Sequence, residues 1–458
     1  MRLWFLLGAV FVFCVKSHPV DLVPSENNEV PLVYRSLCGF VDLPGEEGDR
    51  WTREKPQDEG SSERKILKLR GFAVVIRHGD RSSLFNTHDN EGCRSHDPKS
   101  HKNFTILKQL FESTDFRNYI SVDDVMKDYI YFPEEYKCVL GEMTAEGILQ
   151  IANLGKKFYN YYKDTPLFTD KSHALHVMAS ASPWNRTLQT ARSFVSQFLY
   201  PMKDYVPRVH VQSSNLSYQC FEQECYCPIS NEMRYKFEDE RGEYFELHAE
   251  PSLIAEAHEI KKTFAPFSKC HHPLAFVDIA LGNFVCRMKP LPCKDGFCVT
   301  FPFLLKMLNL VSTHTLEMWN KDVGLVRRLQ AIETYAILNY LNQAVEKSQR
   351  DKDYKFVRIY SSHDSVIGPL LRAMGLSVVD PCSYGARLVF EVYEHPSDGL
   401  FVRVLYNGED MTRKVDFCQN KKHWTRHGLC SVEAFSDYVH KVLFQQANVR
   451  NVKEACYM

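Results

Sequence analysis

The sequence predicts an α/β fold: a three-layer, mixed-sheet core interrupted by an inserted, mainly helical, disulfide-stapled cap. Three observations carry this. A strand–loop–helix pattern occurs in the first half of the chain and returns late, two alternating strands follow its return, and the stretch between is helical and dense in cysteine.

Arg2 precedes thirteen uncharged, mostly apolar residues, Leu3 to Val15, well short of the ~20 that span a bilayer. Residues 1–17 therefore read as a signal peptide cut before His18, or as a short signal anchor if left uncut; membrane contact is expected only in the second case. Residues 18–65 are rich in Pro, Glu and Gly without a period and are expected to form an N-terminal arm. The first part of the core, 66–200, opens where Ile66, Leu67, Leu69, Phe72, Ala73, Val74, Val75 and Ile76 build towards a continuous apolar run, a strand buried on both faces that ends at Arg77. Ile148, Ile151, Leu154, Phe158 and Tyr162 then follow helical spacing, with Thr144 as N-cap. A second buried strand, Ala174–Ala179, leads through Ser180–Pro183 into a helix marked by Leu188, Ala191, Phe194, Val195 and Phe198.

Residues 201–350 read as the cap: loops with cysteines, then helices over about 300–312 and 323–347. The second part of the core, 351–458, holds a strand at Phe356–Ser361 and a helix from Ile367 to Met374, with Gly375 as C-terminal cap. Strands follow at about 386–394 and 400–406 around a Pro-Ser-Asp-Gly turn. Such a sheet binds its ligand at the carboxyl ends of the strands, here beneath the cap.

With 56 Lys+Arg against 57 Asp+Glu, the chain lacks the basic surplus that binding a phosphate backbone needs, so nucleic acid is not an expected partner. Of fifteen cysteines, Cys14 falls in the signal, leaving an even number for up to seven disulfides in an oxidising, secretory compartment. Zinc is not expected, because no Cys-x-x-Cys pair occurs. Three glycosylation sequons begin at Asn103, Asn185 and Asn215. Asn103 and Asn215 are expected to carry glycans, and Asn185 is expected to be bare because it adjoins Arg186.

The chemistry concentrates at the strand ends. In Arg77-His78-Gly79-Asp80-Arg81, two guanidiniums flank an imidazole, and Gly79 lets the turn approach a ligand closely. A neutral imidazole can attack phosphorus while planar arginine forks hold the non-bridging oxygens. Arg186 stands at the start of a helix, where the dipole disfavours a cation, so it calls for an anion. His-Asp occurs at His88, His96 and His363, but only His363-Asp364 follows a buried strand and opens a helix. That places Asp364 where it could protonate a leaving oxygen.

These motifs, with Met143–Gln150 and Tyr360–Asp364, resemble the histidine acid phosphatases, the two-domain branch of the histidine phosphatases. The resemblance covers most of the mature chain. It implies that His78 forms a phosphohistidine and that Asp364 is the acid, while Arg77, Arg81, Arg186 and His363 bind phosphate. It implies no metal or other cofactor. The family motif continues with Pro where this chain has Ser83, which leaves the stiffness of the loop open.

Within the family, Cys225–Pro228, Cys293 with Cys298, Ala386–Glu391 and Val402–Gly408 are similar to the Golgi members that trim the glycosaminoglycan linkage region. That likeness implies a phosphorylated sugar, 2-phosphoxylose of the proteoglycan linkage, as substrate and the Golgi lumen as location. The alternatives are a broad acid phosphatase, lysosomal or secreted, and a non-catalytic protein that binds phosphate or glycan.

Overall fold

The computed structural model describes residues 32–39, 67–84, 98–134, 139–171, 174–214, 227–268, 270, 273–321, 324–376, 382–419 and 428–457. The expected signal segment, Asn215, and the His-Asp pairs at His88 and His96 lie outside them.

In chain order the elements used below are α1 (Leu32–Leu37), β1 (Lys68–Arg77), β2 (Ile120–Val122), α2 (Ala145–Tyr162), β3 (Leu175–Ala181), α3 (Asn185–Phe198) and β4 (Val209–Ser213). There follow α4 (Pro273–Asn283), β5 (Cys293–Lys294), β6 (Phe297–Cys298), α5 (Phe301–Lys321) and α6 (Leu325–Arg350). The chain then adds β7 (Lys355–Ser362), α7 (Asp364–Ala373), β8 (Arg387–His395), β9 (Gly399–Tyr406), β10 (Glu409–Asp410) and β11 (Cys430–Ser431).

Nine strands form one mixed sheet in the order β10-β9-β8-β1-β7-β3-β4-β2, with β11 also on β9. Strand β1 pairs parallel to β7 on one side and antiparallel to β8 on the other. Its alternation explains the continuous apolar run. Phe72, Val74 and Ile76 enter a cluster with α2 and α3, while Ala73 and Val75 enter a second one with α6 and α7. Each large side chain so buried contributes about 1.5–3 kcal/mol.

The local signals act as expected at the helix ends. Thr144 caps α2 through its side chain, which accepts from the Gly147 amide. Gly375 takes φ +75° after α7, and the Leu376 amide bonds back to the Leu371 carbonyl (2.9 Å).

Three findings modify the expected organisation. The sheet exceeds the five strands read from the sequence, because β2, β4, β10 and β11 are two to five residues long and carry no measurable period. Strand β4 lies in the sheet, and α6 buries Ala331, Ile337, Leu338 and Leu341 in the core beneath it. We therefore propose that the cap comprises only the segment between β4 and α6. The described part of the expected arm is packed on the molecule: Tyr34 and Leu37 of α1 are buried against α4 and α5, and Cys38 is bonded to Cys286.

Three further disulfides join Cys227–Cys456, Cys293–Cys298 and Cys418–Cys430 among the described residues. Cys270 is a buried thiol outside any disulfide, so the ceiling of seven is not reached. No described helix is long and apolar enough to cross a membrane.

Candidate active site

Strands β1, β7 and β3 are parallel neighbours, with Arg77 level with Ser362 and Ala181 level with Ser361. Their carboxyl ends therefore finish together, and the loops after them converge. The His78 amide donates to the Ser362 carbonyl (3.0 Å), and the Arg77 amide to the Ala386 carbonyl (2.8 Å). The glycine of the motif serves a close approach, but to a helix. A Cβ on Gly79 would lie 2.5 Å from the Gly147 carbonyl oxygen, and one on Gly147 only 2.1 Å from that of Asp80. Backbone thus packs on backbone where α2 begins.

His78 is buried, and its Nδ1 lies 2.9 Å from the Gly79 carbonyl oxygen. A carbonyl only accepts, so Nδ1 carries the proton and Nε2 keeps its lone pair. Burial, with Arg186, Arg77, His363 and Arg81 around it, holds the imidazole well below its ordinary pKa and neutral. His363 is depressed in the same way by burial and by Arg186, Arg77 and Arg81. Its Nε2 bonds the Ser182 hydroxyl (2.7 Å), and its ring centroid is 5.5 Å from that of His78.

Asp364 follows at the first position of α7. Burial raises its pKa against the pull of Arg77 and Arg81. Its Oδ2 is 3.0 Å from Nη2 of Arg77. The three arginines differ in how their charge is met. Arg77 faces Asp364 and also donates to the Cys382 carbonyl. Arg81 is paired with Asp278 of the cap helix α4 (2.9 Å); burial opposes its charge, but Asp278 outweighs that and raises its pKa. Arg186 is buried over the Trp184 ring (4.7 Å) and makes no ion pair among the described residues. Burial and the nearby Arg81 lower it to about 9, against the pull of Asp364 and Glu142.

All six residues singled out by the motifs thus meet at one place. Asn185 stands beside them with its amide nitrogen donating to Glu142 (2.6 Å). Asn103 is exposed on the helix Pro98–Glu112. Tyr244 stacks on His248 one helical turn away (4.0 Å) and lies tilted against His314 (4.6 Å).

Sequence reasoning missed Asp278. One oxygen of this carboxylate meets Arg81; the other accepts from the Ser83 hydroxyl (3.0 Å) and the Leu84 amide (2.8 Å). Ser83, standing where the family motif has Pro, is thereby tied to the cap by a hydrogen bond. A signal existed: Asp278 is the lone charge in the apolar helix Pro273–Asn283, all but the last residue of which is buried. Asp80 is fixed similarly, by Thr144 and by Arg287, whose Nη2 also donates to the Arg81 carbonyl (3.0 Å).

Replacing Asp278 by Asn keeps an acceptor for Ser83 but removes the carboxylate charge that faces the buried Arg81 guanidinium. The expected cost is about 3–5 kcal/mol in urea unfolding. A loss below about 1 kcal/mol would show that Arg81 does not depend on the cap.

The profile described as "Histidine phosphatase superfamily (branch 2)" matches residues 68–269 and 314–407, more than half of the chain. The 2-phosphoxylose phosphatase 1 of Xenopus tropicalis is 27% identical over 85% of this chain and 78% of its own length. The Homo sapiens protein of that name is 24% identical over 85% and 82%. Among solved structures, the phytase of Citrobacter braakii covers 85% of this chain and 100% of its own, at 14% identity and a TM-score of 0.48. The long match of the profile, spanning the strand ends at His78 and His363, shows that the chain belongs to the histidine phosphatase superfamily, branch 2.

Proposed function

We propose that the chain is a phosphomonoester hydrolase that works through a phosphohistidine on His78, with 2-phosphoxylose of the glycosaminoglycan–protein linkage region as its substrate. One observation carries the chemistry: three buried arginines, one with no carboxylate partner among the described residues, surround two neutral imidazoles and a carboxyl group. With both imidazoles neutral and two carboxylates opposite three guanidiniums, the pocket carries one excess positive charge. A phosphate dianion that arrives as Asp364 takes up a proton leaves the assembly neutral.

In the first step, the Nε2 lone pair of His78 forms a bond to phosphorus. The bond to the leaving oxygen breaks, and that oxygen takes the proton of Asp364. In the second, water attacks phosphorus, Asp364 accepts its proton, the P–N bond breaks, and inorganic phosphate departs. Arg77, Arg81, Arg186 and His363 hold the non-bridging oxygens throughout. The name shared by the relatives, aligned over most of each chain, supports the choice of substrate. The disulfides support a secretory location, for which we favour the Golgi lumen.

The test compares phosphate release from a xylose-2-phosphate linkage oligosaccharide and from p-nitrophenyl phosphate. A preference of about a hundredfold in kcat/KM for the oligosaccharide is expected, roughly 2.7 kcal/mol of transition-state binding. Equal rates would make the chain a broad acid phosphatase. Release from neither would leave it a binding protein.

A further inference from the structure

Tyr384 lies in the turn that leads into β8, and its side chain is 2% exposed. Its ring packs under Arg77, with the guanidinium carbon 4.5 Å from the centroid; that of Arg81 is 6.0 Å away and the His78 ring 5.8 Å. The backbone holds it there from both sides. The Tyr384 amide donates to the Leu37 carbonyl of α1 (3.1 Å), and the Gly385 amide to the His78 carbonyl (3.2 Å).

A cation over an aromatic face accounts for the ring. It does not account for the hydroxyl. The phenolic oxygen is buried without a hydrogen-bond partner among the described residues, although buried tyrosine hydroxyls normally find one, because an unpaired one is costly. Burial raises the phenol above its ordinary pKa, so it stays a donor. A donor held beside Arg77 and Arg81, with no acceptor among the described residues, fits an acceptor brought by the substrate.

We propose that the Tyr384 hydroxyl is a further ligand of the bound phosphoryl group, donating to one of its non-bridging oxygens. This rests on the phosphatase reading above. The group would add a neutral donor to the three cations and help fix the orientation of the phosphoryl group for attack by His78.

Tyr384→Phe keeps the ring against Arg77 and deletes only the hydroxyl. In the full chain, inhibition by inorganic phosphate should weaken and kcat/KM should fall, each by about ten- to a hundredfold. The thermal midpoint without phosphate should stay or rise, since the deleted hydroxyl has no hydrogen-bond partner among the described residues. Tyr384→Leu, which also removes the face under Arg77, should lose more activity and lower the midpoint. Unchanged phosphate inhibition and kcat/KM in the Phe variant would overturn the proposal. So would a midpoint several degrees lower, which would give the hydroxyl a structural partner. If the unmodified chain neither turns over nor is protected by phosphate, the phosphatase reading fails with it.

Discussion

His78→Ala should lose about four orders of magnitude or more in kcat/KM and form no phosphoenzyme, because the variant lacks the atom that attacks phosphorus. The geometry behind this is specific. The Gly79 carbonyl holds the proton on Nδ1, and burial among Arg186, Arg77 and Arg81 keeps the ring neutral, so Nε2 offers a lone pair even in acid. The arginines and Asp364 remain in the variant, so inorganic phosphate should still bind and raise its thermal midpoint. The variant should also resist acid better. A histidine whose folded pKa is depressed contributes stability above its unfolded value, near 6.5, and that stability is lost as pH falls and the unfolded chain takes up the proton. Removing His78 removes that penalty. Stopped assays on both proteins, with melting curves at pH 7 and pH 5, check the prediction.

Asp364→Asn separates the two halves of the reaction. A sugar hydroxyl leaves poorly without a proton, so release from a sugar phosphate should fall by about 10²–10⁴. Nitrophenolate needs little help, so the first step with p-nitrophenyl phosphate should persist. The second step then lacks its base, and a burst followed by slow turnover is expected. The pH profile of the unmodified chain should mirror the same groups. Depression of His78 preserves the nucleophile at acid pH, and the burial-driven rise of Asp364 keeps it protonated above the usual carboxylate range. Activity on sugar phosphates should therefore peak in acid and fall as pH rises and Asp364 ionises. The Asn variant should lose that falling limb; if the limb persists, another group is the acid.

Much of this site was legible in the sequence because its parts are local. Each of His78, Arg186 and His363 directly follows a buried strand or opens a helix, and the runs that mark β1, β3, β7, α2, α3 and α7 are long enough to show a period. What escaped depends on contacts between distant segments. Asp278 reaches Arg81 across 197 positions of sequence, and nothing near either residue states that they meet. The turn that carries Tyr384 has no periodic signature, and α1, at six residues, is too short to show one. Yet Leu37 of α1 bonds the Tyr384 amide, and Gln150 joins the Cys38 carbonyl to the Asp80 amide. The segment expected to be an arm thus braces the catalytic turn. Strands β2 and β4 escaped because β4 is recruited by pairing with β3 and β2 by pairing with β4, not by any run of their own.

The central claim is that phosphorus passes through His78. It is tested most directly by quenching the Asp364→Asn variant in alkali during turnover of p-nitrophenyl phosphate and mapping the phosphoryl group by peptide mass spectrometry. A single acid-labile, base-stable phosphate on the peptide that carries His78, absent when His78 is replaced by Ala, is the predicted result. Phosphate on His363 or on another residue, or turnover with no phosphoenzyme at any time, would contradict it.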